Sequence, residues 1–201
     1  MSPQSRQSAK VQPAWVRITH WLNAIAVVIM LLSGWRIYNA SPLFDFRFPN
    51  VITLGGWLAG ALQWHFAAMW LLVVNGLCYL VMNILTGRFR RRLFPLSISG
   101  ALRDIAAAMR GKLTHPDLTE YNAAQKLFYV GVVMVIVLTV LSGLAIWKSV
   151  QFPLLRILMG GYDAARWVHF IGMSAIALFL VVHVVMVLLV PRTLIIMLRG
   201  R

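Results

Sequence analysis

The chain runs to 201 residues, 60% of them hydrophobic, with a mean hydropathy of +0.78 and only 12% charged. A soluble domain carries about twice that share of charge, so this much apolar surface points to lipid as the solvent. Lysine and arginine number 19 against 5 acidic residues, for a net charge of +14; a nucleic-acid-binding protein could match that balance, but its apolar residues would not fall in runs of twenty.

The length suits one domain covering residues 1–201. Met1 to Gln12 is polar and basic, and is not expected to be a signal peptide, because the apolar run after it is too long and lacks a small-residue cleavage site. The single Cys78 lies within an apolar run, which excludes a disulfide framework, and there is no Cys-x-x-Cys-His motif. Any haem would therefore be held by coordination and packing, not by thioether bonds.

Four apolar runs, at about 15–38, 62–86, 123–147 and 167–190, reach the roughly 20 residues needed to cross a bilayer. Within lipid every backbone polar group must be satisfied inside its own segment, so each run is expected to be helical and the fold class all-α, a four-helix membrane bundle. Turn signals separate the runs: Asn39-Ala40-Ser41-Pro42, Phe48-Pro49-Asn50, Gly55-Gly56, His115-Pro116-Asp117 and Gly160-Gly161. Between the second and third spans, residues 87–122 form the longest connection. Its stretch from Ser99 to Arg110 sets Ala, Leu, Ile and Met opposite Arg103, Asp104 and Arg110, as in an amphipathic helix lying on the membrane surface. The tail from Pro191 to Arg201 should continue the last helix or lie flat beside it.

An even number of spans puts both ends and the 87–122 connection on one side. That side holds Arg6, Lys10, Arg17, Arg88, Arg90, Arg91, Arg92, Arg103, Arg110, Lys112, Lys126, Arg192, Arg199 and Arg201; the other holds Arg36, Arg47, Lys148, Arg156 and Arg166. This bias predicts cytoplasmic termini in a bacterial inner membrane and accounts for the excess charge through topology and anionic lipid, with no nucleic acid. Tryptophans agree, with Trp15 and Trp21 at the inner boundary and Trp35, Trp57, Trp64, Trp147 and Trp167 at the outer one.

Four of the five histidines, His20, His65, His169 and His183, fall within the spans, and His115 lies in a loop. A lone intramembrane histidine is as often a packing hydrogen bond as a functional group, but four at matched depths are not. His20 lies about one turn into the first span, near the cytoplasm. His65 and His169 open the second and fourth spans near the outer face, and His183 follows His169 by fourteen residues. That is roughly 21 Å along a helix axis, and about 40° from the starting direction. The histidines thus form two pairs at two depths, as two bis-histidine haems stacked across a bilayer require.

Zinc would need its ligands gathered at one point. A proton relay would normally place Asp or Glu in the spans, which contain none, whereas haem iron accepts two axial imidazoles. Ser33-Gly34, Gly76, Gly131, Ser142-Gly143 and Gly172 could make room for a macrocycle, although small residues serve helix packing equally well. Leu32-Ser33-Gly34-Trp35 in the first span echoes Leu141-Ser142-Gly143-Leu144 in the third, which lacks histidine and should only support the bundle. Arg17, Arg36 and Arg166 are candidates to bind haem propionates, or act as ordinary interface anchors.

His20-Trp21-Leu22-Asn23, the second-span histidine and the His-x13-His pair of the last span resemble the bacterial cytochrome b561 and nickel-iron hydrogenase b-type cytochrome family, which includes formate dehydrogenase gamma subunits. The resemblance covers nearly the whole chain. Ser33 to Pro42 and Val190-Pro191-Arg192-Thr193 look closest to the thiosulfate reductase cytochrome b-like branch, whose members accompany periplasmic molybdopterin oxidoreductases. The resemblance implies two haem b groups, ligated by His20 and His183 on the cytoplasmic side and by His65 and His169 on the periplasmic side. It also implies electron relay between membrane quinone and a periplasmic redox partner. Asn23, Asn83, Asn122 and Gln125 would be candidates for the quinone surroundings, though amides near helix ends are usually caps. Self-association into a homodimer is compatible with this plan. A stand-alone superoxide:quinone oxidoreductase of cytochrome b561 type is the alternative, with the outer cations as a funnel, and a transporter with structural histidines is the third reading.

Overall fold

The computed structural model describes residues 12–111 and 121–200. Lys112, the His115-Pro116-Asp117 turn, Arg6, Lys10 and Arg201 lie outside the described residues. The elements are helical: α1 (Ala14–Ala40), α2 (Leu58–Leu85), α3 (Arg88–Leu93), α4 (Ile98–Met109), α5 (Ala123–Trp147), α6 (Pro153–Leu158), α7 (Tyr162–Leu189) and α8 (Arg192–Arg199), with a 3-10 turn at Asn50–Ile52. Helices α1, α2, α5 and α7 are long and apolar enough to cross a membrane. Their 25 to 28 residues rise about 38–42 Å, more than the roughly 30 Å of hydrocarbon, so their ends project past the apolar layer or the helices tilt.

The helix ends follow local chemistry. α2 starts four residues ahead of the apolar run, because Gly55 and Gly56 take up positive φ (105° and 69°) and turn the chain directly into it. Gly160 and Gly161 (φ 82° and 99°) do the same ahead of α7, which starts five residues before its run. Gly87, at φ 62°, closes α2 and opens the basic helix α3. Asn122 and Gln125 cap α5 reciprocally, the Asn122 side chain accepting from the Gln125 amide at 2.8 Å and Gln125 from the Asn122 amide at 3.1 Å. The 87–122 connection therefore carries two helices where one was expected, and α4 docks on α5, with Asp104 accepting the Ala124 backbone N–H at 3.2 Å. The tail breaks at Pro191 and forms the separate helix α8, whose far end returns to the start of α1.

The long helices pair as two antiparallel hairpins, α1 on α2 and α5 on α7, with few close backbone approaches between the hairpins. Ala26, Ala61, Ala145 and Ala165 are completely buried, so small residues let backbones approach as they do in lipid, where no hydrophobic force separates helix from solvent. Within the second hairpin, Gly172 lies against Thr139, whose hydroxyl is held by the Val135 carbonyl at 2.7 Å. Gly172→Ala would drive a methyl into that hydroxyl. It should destabilise the protein by about 1–3 kcal/mol, read as a lower unfolding midpoint in detergent. Adding Thr139→Ala should restore most of the loss, and a Gly172→Ala protein as stable as wild type would show that the contact yields freely.

Candidate functional site

The two hairpins are tied at both ends and separate in the middle. At the end carrying both chain ends, Arg17 donates to the Leu198 carbonyl at 2.5 Å and Trp21 to the Met197 carbonyl at 3.4 Å, joining α1 to α8. At the opposite end, Arg166 of α7 donates to the Ser41 carbonyl at 2.7 Å and to its hydroxyl at 3.1 Å. There the loop after α1 folds over the bundle, with Phe44 packed on Trp167 (5.0 Å) and Phe170 (5.5 Å), and Tyr38 on Phe170 (5.2 Å). Asn39 pins this loop through two 2.8 Å hydrogen bonds to the Phe48 backbone.

The four spanning histidines meet across the seam between the hairpins. His20 of α1 faces His183 of α7 with ring centres 6.1 Å apart, and His65 of α2 faces His169 of α7 at 6.4 Å. His20 lies six residues past Ala14 and His183 six before Leu189, while His65 and His169 lie seven past Leu58 and Tyr162. One pair is therefore near each end of the bundle. Among the described residues no three metal-binding side chains converge, so the arrangement is two by two.

The spacing can be tested against an axially ligated iron. An imidazole nitrogen binds a transition metal at about 2 Å and its ring centre lies about 1 Å behind, so two rings on opposite faces of one iron have centres about 6 Å apart. Both pairs match. Among the described residues, the largest side chains buried to the point of full enclosure are only Ser33 and Ser142. The two histidine pairs therefore fit a group that accepts one imidazole from each hairpin.

Two residues whose role sequence reasoning missed set the chemistry of one pair. The Ser33 hydroxyl donates to the Ile29 carbonyl at 2.6 Å and also lies 3.1 Å from His65 Nδ1. A serine hydroxyl can donate or accept at that nitrogen; where it accepts, Nδ1 carries the hydrogen and Nε2 keeps its lone pair. Ser142 repeats this on the other hairpin, donating to the Thr139 carbonyl at 3.0 Å and standing 3.2 Å from His169 Nδ1; the same carbonyl accepts from that Nδ1 at 2.9 Å. The repeated Leu-Ser-Gly phrase was the available signal. Its glycines make room for the imidazoles themselves: Gly34 lies on His65 and Gly143 on His169. The other pair has no hydrogen-bond partner among the described residues and packs in aromatic surroundings, Trp21 edge-on to His20 at 5.5 Å and Phe179 stacked on His183 at 5.6 Å.

The remaining candidates contact other parts of the protein, although the buried Nε of Arg17 has no partner among the described residues. Arg17 serves the end of α8, Arg36 donates to the Asn50 side chain, and Arg166 holds Ser41 and approaches Asp163 at 3.9 Å. Asn23 accepts from Asn75 at 2.7 Å between α1 and α2, and Asn83 donates to the Tyr79 carbonyl of its own helix at 2.7 Å. Asn122 and Gln125 form the cap of α5.

The family model described as prokaryotic cytochrome b561 matches residues 11–200. The chain belongs to this family. A curated relative from Azospira oryzae is 60% identical over 196 residues, 98% of this chain and 99% of that protein, and is named "Putative protein-methionine-sulfoxide reductase subunit YedZ1". No solved structure matches. The chain is thus a membrane cytochrome of the b561 family, which binds b-type haem.

The glycines give a comparison within this cytochrome. A Cβ at Gly143 would meet His169 Cε1 at 2.9 Å, whereas one at Gly34 would meet His65 Cε1 at an ordinary 3.5 Å. Gly143→Ala should push the His169 ring aside and lower the haem content of purified protein, while Gly34→Ala should keep it. Equal pyridine haemochrome yields from both would contradict the geometry.

Proposed function

We propose that this cytochrome is a di-haem electron relay. His20 and His183 ligate one haem b, His65 and His169 ligate a second, and electrons pass between membrane quinone and a periplasmic oxidoreductase. The observation that carries the reading is the pair of imidazole separations, 6.1 and 6.4 Å, near opposite ends of one membrane bundle. Both termini are assigned to the cytoplasm on the lysine and arginine bias. The His20–His183 haem is then the inner one, and the chain is one domain of a bacterial inner membrane.

A haem b between two imidazoles supplies a one-electron centre with both axial positions filled, which favours electron transfer over oxygen chemistry. The chain does the rest. The hairpins set the separation of the imidazoles, and the Phe44 loop keeps water from the outer level. Ser33 and Ser142 hold the outer tautomers with Nε2 free. His169 and His183 share one helix, so a single rigid element spaces the two levels by about 21 Å. Moving an electron across the full membrane field is worth about 2.3 kcal/mol per 100 mV, which gives the relay a direction worth controlling.

The Azospira oryzae relative bears the name of a protein-methionine-sulfoxide reductase subunit, and we assign the partner here to the same class: a periplasmic reductase, of the molybdopterin type that the sequence resemblance implies, acting on oxidised methionine. Of the outer cations, Arg36 and Arg166 are engaged in loop contacts, which weighs against an open superoxide funnel.

Purified protein should contain two haems per chain. His169→Ala should remove the outer one and His183→Ala the inner one, each leaving the absorbance of the other. A single haem in wild type, or loss of both from either variant in folded protein, would refute the assignment. The serines allow a second test. Hydrogen bonding at Nδ1 makes an axial imidazole a stronger donor and favours the ferric state. Ser33→Ala should therefore raise the outer midpoint potential in a redox titration and leave the inner one in place. Ser142→Ala should shift it in the same direction, because it removes the matching contact to His169 Nδ1.

A further inference from the structure

At the end of the bundle where α1 begins and α8 ends, Arg88, Arg91, Arg92 and Lys126 line an open cavity of about 500 Å³, together with residues that include Trp15 and Tyr121. That volume is in the range of small-ligand sites. The cavity uses no residue of the histidine pairs.

Two of its cations are already held in place. Arg88 donates to the Gln12 side chain at 2.5 Å and Arg91 to the Thr86 carbonyl at 2.6 Å, while Gln12 in turn donates to the Tyr121 hydroxyl at 3.3 Å. Arg92 and Lys126 have no acceptor among the described residues. Asp104, on the neighbouring helix α4, is bonded to the Ala124 amide. Like charges gathered around one opening favour an anion, and guanidinium forks suit the oxygens of a phosphate. The surroundings show how a phosphate would arrive. Thr86 lines the cavity, and the two residues before it, Ile84 and Leu85, are 68% and 76% exposed on the outside of the bundle; Ile18, one turn after Trp15, is 60% exposed. Exposed apolar side chains thus adjoin the lining residues in sequence, and Trp15 and Tyr121 are the residue types that settle at the headgroup level.

We propose that this cavity is a phosphate-binding site filled by the headgroup of an anionic phospholipid, whose acyl chains lie along Ile18, Ile84 and Leu85. Basic cavities between spanning helices on the positive side of a membrane are suited to such headgroups. The bound lipid would clamp the start of α1, helix α3 and the start of α5 together.

The test uses the full-length, haem-loaded protein, delipidated in detergent and examined by native mass spectrometry. Phosphatidylglycerol, phosphatidylcholine and inorganic phosphate are added in separate arms. Wild type should retain phosphatidylglycerol where phosphatidylcholine is lost. Arg92→Gln combined with Lys126→Gln should weaken that retention at least tenfold with the haem spectrum unchanged, and Arg92→Lys with Lys126→Arg should restore it. Variant-sensitive binding of inorganic phosphate, with no retention of either lipid, would keep the phosphate site and assign it to a free anion. Equal retention of the two lipids, or a glutamine variant that behaves as wild type in every arm, would overturn the proposal.

Discussion

The facing imidazoles lie on the seam between two hairpins. α1 packs on α2 and α5 on α7, yet between these hairpins the backbones seldom approach, and the ties that join them lie at the two ends. Small residues draw the helices of each hairpin together, and the seam between hairpins is bridged by facing imidazoles. That seam is the feature on which the other elements depend: the outer aromatic loop, the Arg166 tie and the return of α8 to α1 all join one hairpin to the other across it.

The two histidine levels share a plan but differ in environment. The level near the aromatic loop is hydrogen-bonded through Nδ1 on both sides, by Ser33 on one hairpin and by Ser142 and the Thr139 carbonyl on the other. The level near the chain ends is surrounded by Trp21 and Phe179. Hydrogen bonds to the far nitrogen tune a metal-bound histidine, so under the proposed ligation the two levels would differ electronically. The echo between the first and third spans explains how: the same Ser-Gly step stands beside a histidine on each neighbouring helix.

The basic end has a different character. Its arginines hold backbone carbonyls and amide side chains, and three of them line a cavity. Positive charge there joins segments that are far apart in sequence, as Arg17 does with Leu198 and Arg88 with Gln12.

Much of the architecture follows from the chain read alone. Long apolar runs in lipid admit only helices, so four of them imply four spans, and a separation of fourteen residues on a helix returns His183 to the face of His169. These are local rules of period and rise, and they need no partner. What the tertiary structure decided is everything that depends on two elements meeting. The span edges moved outward because paired glycines turn the chain abruptly. The 87–122 connection gained a second helix, α3, beside the expected one, and α4 found a partner in α5. Asn122 and Gln125, read as candidates beside a quinone, became a cap. Ser33 and Ser142, read as space for a macrocycle, became the hydrogen-bond partners of His65 and His169. A serine in a membrane helix looks the same whether it bonds its own backbone or a neighbouring imidazole, and only the approach of the adjacent helix distinguishes the two.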